Sequence, residues 1–180
     1  MLINADKTAW QIHWLWDQIQ YTLVRALILS RLDYCTSLYA GCLTVTLRRL
    51  QRVQNAAARL LCGDSPHTHA HPLLKQLHWL PIVRRIQYKL CCLMFDIYHG
   101  TAPAYMSELC KPCTDSRLRS AAHSNFVVPR TQLRLAERSS AVSRPKAWNA
   151  VPLSIHNITS KDTFARQLKT HFLNQNFNLL

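Results

Sequence analysis

LRRLQRVQNAAARLL, residues 47–61, is the stretch that decides the fold class. Stepping at about 100° per residue, Leu50, Val53, Ala57, Leu60 and Leu61 fall on one side of a helical wheel. Arg48, Arg52 and Arg59 fall on the other, within about 40° of one another. No carboxylate lies in the run, so these arginines have no acidic partner on their own helix. Thr46 stands where an N-cap hydroxyl would satisfy the first free backbone N–H groups, and Gly63 where a left-handed turn would end the helix. The spacing therefore predicts an amphipathic helix whose apolar side is buried and whose basic side meets a polyanion or water.

The charge balance favours the polyanion. The 180 residues hold 22 Lys and Arg against 9 Asp and Glu, a formal net charge of +13. Fifteen of the 22 cations are Arg, whose planar guanidinium forks onto phosphate and stacks on bases. Basicity by itself fits a membrane surface or an acidic protein equally well. Only three glycines occur (Gly41, Gly63 and Gly100), too few for a Gly-rich phosphate loop or a dinucleotide fingerprint, so no nucleotide cofactor is expected. No apolar run reaches the roughly 18 residues of a membrane span, and the start, MLINADKTAW, has no long apolar core for secretion. Seven cysteines, odd in number and mostly inside helical patterns, are expected as buried reduced thiols of an intracellular protein, in the nucleus or the cytoplasm.

Working outward, the pattern stays helical. Residues 19–32 are apolar at Ile19, Leu23, Ala26 and Leu27, with Arg25 and Arg31 on the flanks. Pro72 and Pro81 suit first turns of helices. After Pro81, Val83, Ile86, Leu90, Leu93, Met94 and Ile97 form a stripe that ends at Gly100, with Arg84, Arg85 and Lys89 off it. A shorter helix is expected over 103–110 and a last one after Ser160, packing through Phe164, Leu168 and Phe172. Between them, residues 111–147 are rich in Ser, Thr, Pro and Arg, including Arg117, Arg119, Arg130, Arg134, Arg138 and Arg144, and predict a loop or small hairpin. The expected fold is mainly α, a compact multi-helix bundle with a loop or small β-hairpin excursion around 111–147. Trp10, Trp14 and Trp16 predict a leader helix packed on the body, and Trp79 and Trp148 core anchors.

Several phrases in order carry a family resemblance: SRLDYCTSLYAG (30–41), LRRLQRVQNAAARLL (47–61), HPLLKQLHWLPIVRRIQYKL (71–90), GTAPAYM (100–106), RLRSA (117–121), KAWNAVP (146–152) and TFARQLKTHF (163–172). Together they closely resemble the C-terminal region of LINE-type (non-LTR retrotransposon) reverse transcriptases of the jockey and chicken-repeat kind. Residues 1–17 lie outside the resemblance and read as a leader, which leaves 18–180 as one helical domain. The resemblance implies the segment that follows fingers, palm and thumb of an RNA-directed DNA polymerase polyprotein, helping to hold template RNA or target-primed DNA beside the polymerase portion. One local departure is ERSSAV (137–142), where relatives carry a glycine before an arginine and an aromatic-serine pair.

Polymerases of that family hold two Mg²⁺ ions on paired palm carboxylates. This chain has no Asp-Asp pair, and Asp33 within SRLDY suits local capping, so no catalysis of its own is expected. The expected function is binding of an RNA or DNA backbone through Arg48, Arg52 and Arg59, with Arg49, Arg84, Arg85, Arg117 and Arg119 as secondary contacts. The alternatives are an inert retroelement remnant and a protein-interaction module. Cys110 and Cys113 have CxxC spacing, and His67, His69 and His71 alternate in HTHAH. A zinc site needs such ligands to converge at about 2.0–2.3 Å from the metal. With a whole helix between the two motifs, surface loop and reduced thiols are the default, and no metal is expected.

Overall fold

The computed structural model describes residues 5–113, 125–133 and 135–177, with side chains in the first helix from Trp14 onward. The described chain is helical: α1 (Ala5–Val24), a π-helical turn (Arg25–Leu29), α2 (Ser30–Asp33), a 3-10 turn (Thr36–Tyr39), α3 (Thr44–Cys62), α4 (Ala70–Gln76), α5 (Ile82–Tyr98), α6 (Ala104–Leu109), a 3-10 turn (Ala136–Arg138), α7 (Ser140–Asn149), α8 (Leu153–His156) and α9 (Lys161–Phe177). Among the described residues no strand forms. The expected hairpin reduces to one antiparallel bridge, Pro112 with Phe126. Its neighbours are bonds from Cys113 N to Asn125 O and from Val127 N to Lys111 O, both 2.9 Å.

The contacts group the chain into two compact units. One comprises Met1–Tyr34 and Arg48–Trp79, the other Cys35–Leu47 and Leu80–Leu180.

In the first unit the π turn sets the register. The Ser30 N–H reaches back to the Arg25 carbonyl, one residue farther than an α-helix allows. The wider turn shifts every later side chain around the helix, and the buried positions become Val24, Leu29 and Leu32. The expected stripe is overturned: Ile19, Leu23 and Leu27 are all exposed, and so are Trp14 and Trp16, which were expected to pack. Trp10 lies outside the described side chains.

The start of α3 also differs from expectation. The helix begins at Thr44, so Thr46 is an interior residue and not its cap. Its far end follows the expectation. Gly63, at φ +64°, takes the left-handed turn, with bonds from Asp64 N to Arg59 O (3.0 Å) and from Gly63 N to Leu60 O (3.4 Å). Gly100 ends α5 in the same way. The end of α4 makes the same pair of bonds, from Trp79 N to Leu74 O (2.9 Å) and from His78 N to Lys75 O (3.1 Å), but the left-handed residue there is His78, at φ +53°.

The second unit is built around α5, against which α7 and α9 pack. Ile86, Leu90, Met94 and Ile97 of the expected stripe are buried, joined by Ile82, Cys91 and Phe95, whereas Val83 is half exposed. α6 lies within the expected 103–110, and α9 buries Phe164, Leu168 and Phe172 as expected. α7 is the element that the loop expectation over 111–147 missed. Pro145 sits inside it and Arg144 is one of its buried residues, so its pattern is barely amphipathic. It carries the centre of the core. Trp148 is fully buried, with its ring 4.3 Å from His156 and parallel to it, 5.8 Å from Phe164 and 5.8 Å from Tyr98. The next residue, Asn149, accepts the Phe126 N–H (3.0 Å) and donates to the Phe126 carbonyl (2.8 Å), and so fixes the bridge segment to α7.

Candidate nucleic-acid interface

α3 carries the candidate interface, and its buried side is made of short or polar residues. Gln54, Ala57 and Ala58 are its buried positions, with Leu50 and Leu61 half buried. The buried face is therefore rotated by roughly 60° on the wheel from the expected one. Val53 (47% exposed) and Leu60 (59%) stand in water, contrary to expectation. Gln54 is buried without cost to its amide oxygen, which accepts Gln51 Nε2 at 3.0 Å; the same donor reaches Asn55 Oδ1 at 2.8 Å.

The rotation sets the arginines opposite the buried face. Arg48, Arg49 and Arg52 are exposed, and Arg48 with Arg52 and Arg49 with Arg52 are neighbours at one helical turn. None of the three takes a hydrogen bond or ion pair among the described residues, and α3 holds no carboxylate. Three guanidinium groups spaced along one turn and a half, with every donor free, suit a row of phosphate oxygens. Like charges at such spacing repel, so the row is mildly unfavourable until an anion meets it.

The other predicted arginines are differently placed. Arg59 shares the face but is half buried, and its Nε donates to the Thr68 carbonyl at 2.9 Å, which ties down the turn after Gly63. Arg84 and Arg85 lie on α5, in the other unit. Arg84 Nη1 donates to Gln87 Oε1 at 2.9 Å, and its guanidinium stands 5.8 Å from the centre of the Phe172 ring. Arg85 is half buried and engaged with partners. Arg117 and Arg119 lie outside the described residues. Of the remaining arginines in 111–147, Arg144 is buried, with Nε and Nη1 unpaired, and Arg138 reaches Cys42 Sγ at 3.1 Å. Arg49, the secondary candidate beside the row, thus belongs with Arg48 and Arg52 more closely than Arg59 does.

Cys110, Cys113, His67, His69 and His71 do not form a metal centre; among the described residues no three His, Cys, Asp or Glu side chains converge as ligands. Cys110 ends α6, buried, and the three histidines are exposed around the start of α4. All seven cysteines lie outside disulfide bonds, but only Cys91 and Cys110 are buried, and Cys35 is exposed. Burial pushes the Cys91, Cys92 and Cys110 thiols up, for Cys110 against the opposing pull of Arg144. Those sulfurs are held protonated, which disfavours thiolate chemistry. Among the described residues no helix is long and apolar enough to cross a membrane. No protein-family model, no curated protein and no solved structure matches the chain significantly.

Proposed function

We propose that the chain binds the phosphate backbone of RNA or DNA through the exposed row Arg48, Arg49 and Arg52, as an accessory module resembling the post-polymerase region of LINE-type reverse transcriptases and without polymerase chemistry of its own. The carrying observation is the row itself: three adjacent, unpaired guanidinium groups on a helix without a carboxylate. The net charge of +13 supports it by raising the local concentration of a polyanion. Contacts of this kind fix position and read no sequence.

Three neutralised phosphates on a duplex correspond to a slope of log K against log[salt] near about −2.7. Fluorescence anisotropy of the full chain with labelled RNA, single-stranded DNA and duplex DNA across a salt series measures that slope. Arg48→Glu with Arg52→Glu is expected to weaken binding to all three and to bring the slope toward zero by about 2, with the thermal melt unchanged. An unaltered slope with an unaltered melt would overturn the assignment.

A second reading has its own observation. Val53 and Leu60 stand exposed on the same helix, so the surface is apolar as well as basic, which suits an acidic protein partner. Val53→Ser with Leu60→Ser separates the two readings. Nucleic-acid binding is expected to survive it, whereas a protein interface would lose its apolar contacts.

A further inference from the structure

The second unit contains a cleft of about 700 Å³, open to solvent between α5, α7 and α9. That volume lies within the range of small-molecule sites, roughly 300–1,000 Å³. Its walls are mostly apolar, supplied by Val83, Leu90, Val151 and Phe172. Val83 belongs to the apolar stripe of α5 yet is 50% exposed, because the cleft leaves it uncovered. Beside Lys146, α7 lines the cleft with the small residues Ser143 and Ala147, and Ala150 follows them, so the helix leaves space there where larger side chains would close it.

Two cations reach this apolar space. Arg84 is held at the wall by Gln87 and by the Phe172 ring. Lys146 is exposed and has no hydrogen bond or ion pair among the described residues. The field of Arg84 also acts on its neighbourhood: His171 is held below its usual value, chiefly by burial and further by Arg84. Glu137 is the one acid among the lining residues, so the cleft carries a surplus of one positive charge.

We infer that this cleft is a binding site for a small amphipathic monoanion, an apolar body ending in a single carboxylate, sulfonate or phosphodiester group, with the body against Val83, Leu90 and Val151 and the anionic end between Arg84 and Lys146. Transfer of the body from water supplies affinity in proportion to the apolar area covered. The two cations supply orientation and discriminate against neutral molecules of the same shape. Glu137 discriminates against a second negative charge. The site is separate from the arginine row of α3 and stands or falls without it.

The test uses the full chain and 8-anilinonaphthalene-1-sulfonate as the fluorescent probe. One saturable site is expected. Lys146→Glu is expected to weaken it by about tenfold or more, the loss of one charge-assisted contact and the gain of a repulsive one. Ala150→Phe, which fills the cleft from an exposed position, is expected to abolish the site while the thermal melt stays cooperative. Displacement by decanoate, by 1-naphthoate or by both supports the site and tells whether the body is extended, flat or either. Displacement by decanol as effective as that by decanoate would overturn the inference, since the cations would then select nothing. Probe binding that persists in both variants, or that never saturates, would overturn it as well.

Discussion

The two units spend their apolar residues in opposite ways. In the second, the largest side chains are inside: Trp148, Phe164, Met94 and Leu168 have almost no exposed surface, and the rings of Trp148, Phe164, Phe95 and His156 stack in one cluster. In the first, the fully buried positions of α3 are Ala57, Ala58 and Gln54, while Trp14, Trp16, Leu23, Leu27 and Leu60 face solvent. Hydrophobic stabilisation follows apolar area removed from water, so the second unit has the stronger core. The difference teaches that high apolar content is not the same as high burial. A helix can carry many large apolar residues and still bind its neighbours through its smallest ones.

The sharpest way to break this contrast is at the centre of the second core. Trp148→Ala is expected to cost about 3–5 kcal/mol, enough to remove the cooperative melt of that unit. A thermal melt followed by near-ultraviolet circular dichroism checks it, and a loss under about 1 kcal/mol would mean that the aromatic cluster is not the main support. In the first unit the larger gain comes from backbone and not from packing. His78 occupies a left-handed turn that glycine fills at the equivalent ends of α3 and α5. His78→Gly relieves a cost of about 1–2 kcal/mol, offset in part by the freedom glycine adds to the unfolded chain. A net stabilisation of roughly 1 kcal/mol or less in a chemical melt is expected.

Smaller effects sharpen the same comparison at the surface. Lys161 Nζ lies 2.7 Å from Asp96 Oδ1 and 2.9 Å from Oδ2, and the hydrogen bond to Asp96 holds the Lys161 ammonium above its usual value. A raised folded-state value means that the contribution is complete below the unfolded value and is lost as pH rises through the higher folded one, beyond about pH 10.5. The side chain is largely exposed, so Lys161→Met is expected to cost less than about 1 kcal/mol at pH 7 and to flatten the alkaline end of the stability profile. Smallest of all is Leu60→Gln in the first unit, expected within about 0.5 kcal/mol of neutral. A larger loss there would show that Leu60 is covered in solution.

Where the sequence was legible, one period governed burial. Ile86, Leu90, Met94 and Ile97 of the α5 stripe and the Phe164, Leu168, Phe172 series of α9 recur at helical spacing and are buried. Gly63 and Gly100 marked helix ends because their turns need a positive φ. Legibility failed where a local feature interrupts the period. The π turn displaced the stripe of Ile19, Leu23 and Leu27, and Pro145 with buried Arg144 hid α7 inside an apparent loop. The α3 face was misplaced because leucine and valine outweigh alanine on a hydropathy wheel, although alanine is what lets helices approach. For the candidate interface, the shared exposed face of Arg48 and Arg52 was readable from spacing alone. That Arg59 is spoken for by the Thr68 carbonyl was not, since the partner is a backbone atom nine residues away.

The π turn at Arg25–Leu29 also has a genetic meaning. It holds one residue more than an unbroken α-helix would need over the same span. Deleting a single codon within residues 26–28 would therefore leave a helix of nearly the same length, with its hydrogen bonds restored to the ordinary pattern. Because the turn already absorbs the extra residue, Val24 upstream and Leu32 downstream would keep facing inward. The place tolerates a change of one amino acid in chain length, so the helix can lose that residue without exchanging the side it shows to its surroundings.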